Sequence, residues 1–139
     1  MRVRRPRING YRGTFQLLFG GAYIFVGRSY LRPPSEYREN TLHWFTEILP
    51  MSSLGWLWIV CGMVALVGSV CSRPHDFFSF AALSIAPTAL SALNFIGFMT
   101  GYNDRGWEMS AMYLLVAGTA FTVAAMQADR DRDKRRVAP

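Results

Sequence analysis

From Phe77 to Tyr102 the chain runs without a charged side chain. A helix needs about 20 apolar residues to cross roughly 30 Å of hydrocarbon, so this run is long enough to span a bilayer. Leu54 to Cys71 and Met109 to Ala128 are likewise uncharged. A fourth block, Phe15 to Gly27, is shorter, and Tyr11 and the stem of Arg28 extend it by snorkelling. Four such blocks in 139 residues leave no material for a soluble core or a second domain. The expectation is an all-α integral membrane protein, a bundle of four transmembrane helices at about 13–31, 54–72, 77–102 and 109–128, with basic ends at 1–12 and 129–139. The whole of 1–139 is then one membrane domain.

A basic stretch followed by an apolar one is also the mark of a secretory signal peptide. The exit of the first block reads Phe25-Val26-Gly27-Arg28-Ser29-Tyr30 and lacks an A-x-A-like site, so the block is expected to stay as a first helix. Orientation follows from the positive residues. With the N-terminus inside, Arg2, Arg4, Arg5, Arg7, Arg12, Arg73, Arg130, Arg132, Lys134, Arg135 and Arg136 are cytoplasmic, against Arg28, Arg32, Arg38 and Arg105 outside. Trp44, Trp56, Trp58 and Trp107 then fall near the outer interface, where amphipathic rings prefer to sit. Both signals point to N-in, C-in in a bacterial cytoplasmic membrane.

The net charge of +6 is compatible with nucleic acid binding, but it is split between two chain ends with no folded platform, so no nucleic acid partner is expected. Arg2, Arg4, Arg5, Arg7, Lys134, Arg135 and Arg136 are instead placed against anionic headgroups of the lipid bilayer, at about 1 kcal/mol per residue near the surface. All but one of the 15 positive residues are Arg. That bias suggests a GC-rich genome, such as that of an actinobacterium or one of its phages.

Short connections make neighbours of the second and third helices (72–76, with Pro74 and the N-cap candidate Asp76) and of the third and fourth (103–108, with Gly106). The long connection is 29–53. Pro33-Pro34 stops the first helix, Ser35 can cap another, and Leu42, Phe45, Ile48 and Leu49 recur at helical spacing before Pro50. The pattern predicts an amphipathic interfacial helix over about 36–49 on the outer surface. A lid packed over the bundle mouth fits it equally.

Small residues recur every seven positions, two helical turns, and so share a face. Gly13, Gly20 and Gly27 mark the first helix, Gly55, Gly62 and Ser69 the second, and Ala111, Gly118 and Ala125 the fourth. The third offers Ser84, Thr88 and Ala92. These faces are expected to pack the bundle internally rather than form an oligomer seam. Pro87 should kink the third helix, with Ser84 satisfying the carbonyl it frees. Asn94 should act as interhelical polar glue.

Chemistry is harder to find. The mid-span polar groups are Gln16, Asn94 and hydroxyls, whereas proton-coupled transport usually needs an ionisable group at that depth. Small multidrug transporters, similar in size, depend on an acidic residue in the first helix, which is not present here. His43 and His75 fall on opposite sides of the membrane. His43 and Glu47 are spaced for a hydrogen bond rather than a metal site. Cys61 and Cys71, about 15 Å apart along one helix, cannot pair. With no catalytic triad, phosphate loop or nucleotide fingerprint, neither an enzyme nor a cofactor or metal is expected.

In outline the chain resembles a phage holin: small, with several spans, no catalytic group and a charged cytoplasmic tail. The resemblance implies a pore former or membrane perturber that self-associates. It departs from a common holin pattern in that the next Met after Met1 is Met51. The rival expectation is a membrane-embedded partner-binding subunit, an immunity, superinfection-exclusion or assembly factor acting through 29–53 or the tail.

Overall fold

The computed structural model describes residues 10–33, 35–70 and 76–137, and these are helical throughout apart from turns and connections. Among the described residues four long helices carry the fold: α1 (Gly10–Tyr30), α4 (Met51–Val70), α5 (Asp76–Met99) and α6 (Gly106–Val137). Two short ones, α2 (Glu36–Thr41) and α3 (His43–Thr46), lie in the long connection. Residues 51–70, 78–99 and 106–126 are long and apolar enough to cross a membrane, and the chain has the character of a membrane protein. The fourth predicted span, α1, has the length, 21 residues, but not the apolarity, because Arg12, Gln16, Arg28 and Ser29 interrupt it.

The helices pack as two intimate pairs, α1 with α4 and α5 with α6, joined mainly through α4 and α5. α1 and α4 run antiparallel. Where the residue number rises by seven from Gly20 to Gly27, its partner falls by seven from Gly62 to Gly55. One apolar core runs through the assembly, with Tyr23, Leu54, Trp58, Cys61, Ala65, Leu83, Ala86, Leu90 and Ala120 at its centre. Trp58 is only 3% exposed; it belongs to the core, while Trp56 and Trp107 are exposed as an interfacial ring would be.

The turn between α5 and α6 shows why each helix stops where it does. Gly101 has φ +77, a conformation that costs glycine little. Gly101 N–H donates to the Phe98 carbonyl at 3.1 Å and Tyr102 N–H to Gly97 at 2.9 Å, the two bonds of a Schellman cap. The sequence pattern points to Gly106 alone, and Gly106 has a different task. A Cβ there would collide with the Asn94 carbonyl oxygen, so the start of α6 can meet α5 only without a side chain.

The predicted interfacial helix over 36–49 is two pieces. It breaks at Leu42 (φ -115, ψ 18), because Leu42 and Phe45 both turn inward and join the core at 4% and 8% exposure. Ile48 and Leu49, expected on the same apolar face, point outward. The segment is therefore a lid on one end of the bundle. Arg38 fastens it: Nη1 donates to the Ser29 carbonyl at 3.0 Å, and the guanidinium sits 4.3 Å over the Tyr30 ring.

The charged tail continues α6 helically to Val137, about two and a half turns past Ala128. Cys71, Arg73, Pro74 and His75, from the connection between α4 and α5, lie outside the described residues.

Candidate functional site

Two surfaces compete for the role of functional site: the seams inside the bundle, and the outward face of α6. The seam between α1 and α4 is built from Gly20, Gly27, Gly55 and Gly62. A Cβ on Gly20 would lie 2.9 Å from the Gly62 carbonyl oxygen, and one on Gly62 would lie 2.7 Å from that of Gly20. Ile24 fills the hollow at Gly62, Ile59 that at Gly27, and Leu66 that at Gly20. The backbones thus approach closely enough for Cα–H···O contacts, and branched side chains of one helix enter the gaps of the other. Ser69, one heptad on, is buried and turns its hydroxyl back to the Leu66 carbonyl at 2.6 Å. Beside it Gly68 receives Ser79 of α5, whose Oγ and Cβ occupy the space a side chain would take.

The corresponding row on α6 faces the other way. Ala111 and Ala125 are exposed, and a Cβ on Gly118 would meet nothing within 4 Å. The expectation that these three pack the bundle is corrected. The α6 residues buried against α5 and the core include Ser110, Ala117 and Ala120, which lie from about a quarter to nearly half a turn round the helix from that row. On α5, Ser84 is buried but Thr88 and Ala92 are exposed. Thr88 lines, with Ala81, Ser84, Ala89, Phe121 and Ala124, a shallow apolar groove of about 580 Å³ between α5 and α6.

Pro87 is buried in α5, and the carbonyl it frees is that of Leu83. Ser84 does not reach it; the Ser84 hydroxyl donates to Phe80 at 3.1 Å. The donor is Tyr23 of α1, whose hydroxyl meets the Leu83 carbonyl at 2.5 Å. Asn94 acts within the α5–α6 corner. Its Nδ2 donates to Leu90 at 2.8 Å, and its Oδ1 accepts a long bond of 3.4 Å from Asn103.

Sequence reasoning missed the column of rings that lines the interior. Tyr23 meets Trp58 edge-on at 4.5 Å, and Trp58 lies 6.4 Å from Tyr113. It also missed the buried Ser91–Ser110 pair, with Oγ atoms 2.7 Å apart. Tyr23 and Trp58, 35 residues apart in sequence, carry no spacing signal that could have joined them. Gln16 is 0% exposed, and neither of its amide atoms has a hydrogen-bond partner among the described residues.

Nδ1 of His43 lies 3.3 Å from the Glu47 carboxylate, with both side chains exposed. Cys61 is a free, buried thiol. Among the described residues no group of His, Cys, Asp or Glu could hold a metal ion. Of the proposed headgroup residues, Arg2, Arg4, Arg5 and Arg7 lie outside the described residues. Lys134, Arg135 and Arg136 fall on the last turns of α6, their side chains likewise outside the description. Comparison with family models, curated proteins and solved structures finds no match to this chain.

Proposed function

We propose that this chain is a non-enzymatic multi-pass protein of a bacterial cytoplasmic membrane that perturbs the bilayer by self-association, in the manner of a phage holin. In this reading α1 is a fourth span. Its interlock with α4, glycine against glycine at two points one heptad apart, favours a shared depth in the bilayer. The bundle then stands N-in, C-in, with the excess of Arg on the cytoplasmic side and the lid outside. Cysteines introduced at Glu39 and Asp104 should be labelled from outside the cell and one at Asp131 should not; external labelling of position 131 would overturn the orientation.

The observation that carries self-association is the outward face of α6. Ala111, Leu115, Gly118, Thr122 and Ala125 follow one another at spacings of four and three, a seam that meets a second helix at a shallow crossing angle. Among the described residues nothing covers Gly118. Several copies joined there would supply the lesion that a single apolar bundle, without an aqueous path of its own, cannot.

The test is induced expression in a bacterium with membrane potential and growth recorded. Abrupt collapse of the potential after a delay is expected, and Gly118→Leu should delay or abolish it while leaving the fold intact. The second reading, a partner-binding subunit, draws on the lid, where Ile48 is 74% exposed. Harmless expression at verified membrane abundance, with co-purification of one specific protein, would replace the first reading by the second.

A further inference from the structure

Pro87 has no N–H to offer the Leu83 carbonyl four residues earlier. α5 nevertheless continues as helix from Asp76 to Met99, with both residues in the interior: Leu83 is 0% exposed and Pro87 is also fully buried. A buried carbonyl without a donor is costly, and a helix is softest where a proline interrupts its ladder. The replacement donor comes from outside α5. Tyr23, on α1, is itself 3% exposed and reaches Leu83 at 2.5 Å. Its ring is held by the edge of Trp58 on α4 and by Phe19 one turn earlier on α1. The hydroxyl is therefore aimed by packing.

The position of this bond in the fold matters. The α1–α4 pair is locked by its glycines, and the α5–α6 pair by Ser91 with Ser110 and by the Asn94–Asn103 corner. Between α1 and α5 contact is narrow, and the Tyr23–Leu83 bond crosses it. On the α4 side, Cys61 meets the backbone of Ala86, next to the proline. Both of these polar ties between α5 and α6 lie C-terminal to Pro87, so that half of α5 and α6 form one lever.

We propose that the Tyr23 hydroxyl is a latch on a proline hinge. While it donates to Leu83, α5 is held at a single bend against the α1–α4 pair. When it releases, the lever formed by residues 88–99 and α6 swings about Pro87. The bond thus sets, together with the Tyr30–Tyr113 side-chain hydrogen bond between α1 and α6, the angle between the two helix pairs.

A double-mutant cycle tests this with the full chain in lipid nanodiscs, since Pro87→Ala restores a backbone N–H facing Leu83. Thermal unfolding is recorded for the parent, Tyr23→Phe, Pro87→Ala and the double variant. Distances are measured between spin labels on ketone-bearing residues at positions 56 and 107, which leave both cysteines untouched. Tyr23→Phe should lower the melting temperature by about 4 °C, the order expected for one buried hydrogen bond in a chain of this size. It should also lengthen and broaden the 56–107 distance distribution. In the Pro87→Ala background both effects should vanish, because the backbone N–H restored at position 87 now occupies the carbonyl. Equal effects in the two backgrounds, or none in the parent, would overturn the latch. Should Pro87→Ala fail to fold, the distance distribution of Tyr23→Phe alone decides: lengthening supports the hinge and an unchanged distribution refutes it.

Discussion

Gly27 and Gly55 touch backbone to backbone across the α1–α4 seam. A Cβ added to Gly27 would fall 2.6 Å from the Gly55 carbonyl oxygen, and one added to Gly55 would fall 2.9 Å from that of Gly27. The contact is reciprocal, so neither helix can yield without moving the other. The same relation holds between Gly20 and Gly62 one heptad away, which makes the seam a rigid rail.

Adjacent glycines on α1 provide the sharpest test of that rail. Gly20→Ala forces its Cβ against the Gly62 carbonyl, whereas a Cβ at Gly21 meets nothing within 4 Å. Gly20→Ala and Gly27→Ala should each destabilise by about 1–3 kcal/mol, the usual cost of overpacking. Gly21→Ala should be neutral or stabilising by up to about 1 kcal/mol, because alanine is the better helix former. Thermal unfolding in one detergent or lipid separates the cases; equal behaviour of positions 20 and 21 would contradict the close approach.

Gly118 is predicted to behave in the opposite way from the other seam glycines. Gly118→Ala should leave monomer stability unchanged or raise it, since the position is open. If α6 joins copies of the chain, cross-linking of a cysteine at Leu115 in native membranes should yield a dimer band that Gly118→Leu weakens. Loss of folded monomer in Gly118→Ala would show that the face is already occupied.

Gln16 should be replaceable with profit to stability. Its amide is buried with no hydrogen-bond partner among the described residues, and an unpaired buried amide costs about 1–3 kcal/mol. Gln16→Met keeps the volume and removes the polar atoms, and should raise the melting temperature. A lowered one would mean that the amide finds a partner in the assembled membrane protein.

Ser91 and Ser110 should be strongly coupled. Ser91 Oγ donates to the Ser110 carbonyl at 2.9 Å, and the two hydroxyls lie 2.7 Å apart. Polar pairs between membrane helices average about 0.6 kcal/mol and reach about 1.7 kcal/mol. Ser91→Ala and Ser110→Ala should each destabilise within that range, and the double variant should cost less than their sum. Strict additivity would show that the hydroxyls act separately.

The three apolar spans were legible in the sequence because hydrophobicity over about 20 residues is a local property, summed along the chain without reference to any neighbour. The glycine heptads of α1 and α4 were legible as faces for the same reason: two helical turns bring every seventh residue to one side. What each face meets was not. The row 111–118–125 on α6 obeys the same spacing as the row 20–27 on α1, yet one is open and the other closed. Spacing fixes which residues share a side of a helix, and only the packing of four helices decides which side turns inward. The same limit explains Pro87. Its missing N–H is written in the sequence, and Ser84 is the nearest hydroxyl along the chain. The donor is Tyr23, 60 residues from Leu83, because in a packed interior a freed carbonyl is satisfied by the group that space brings to it.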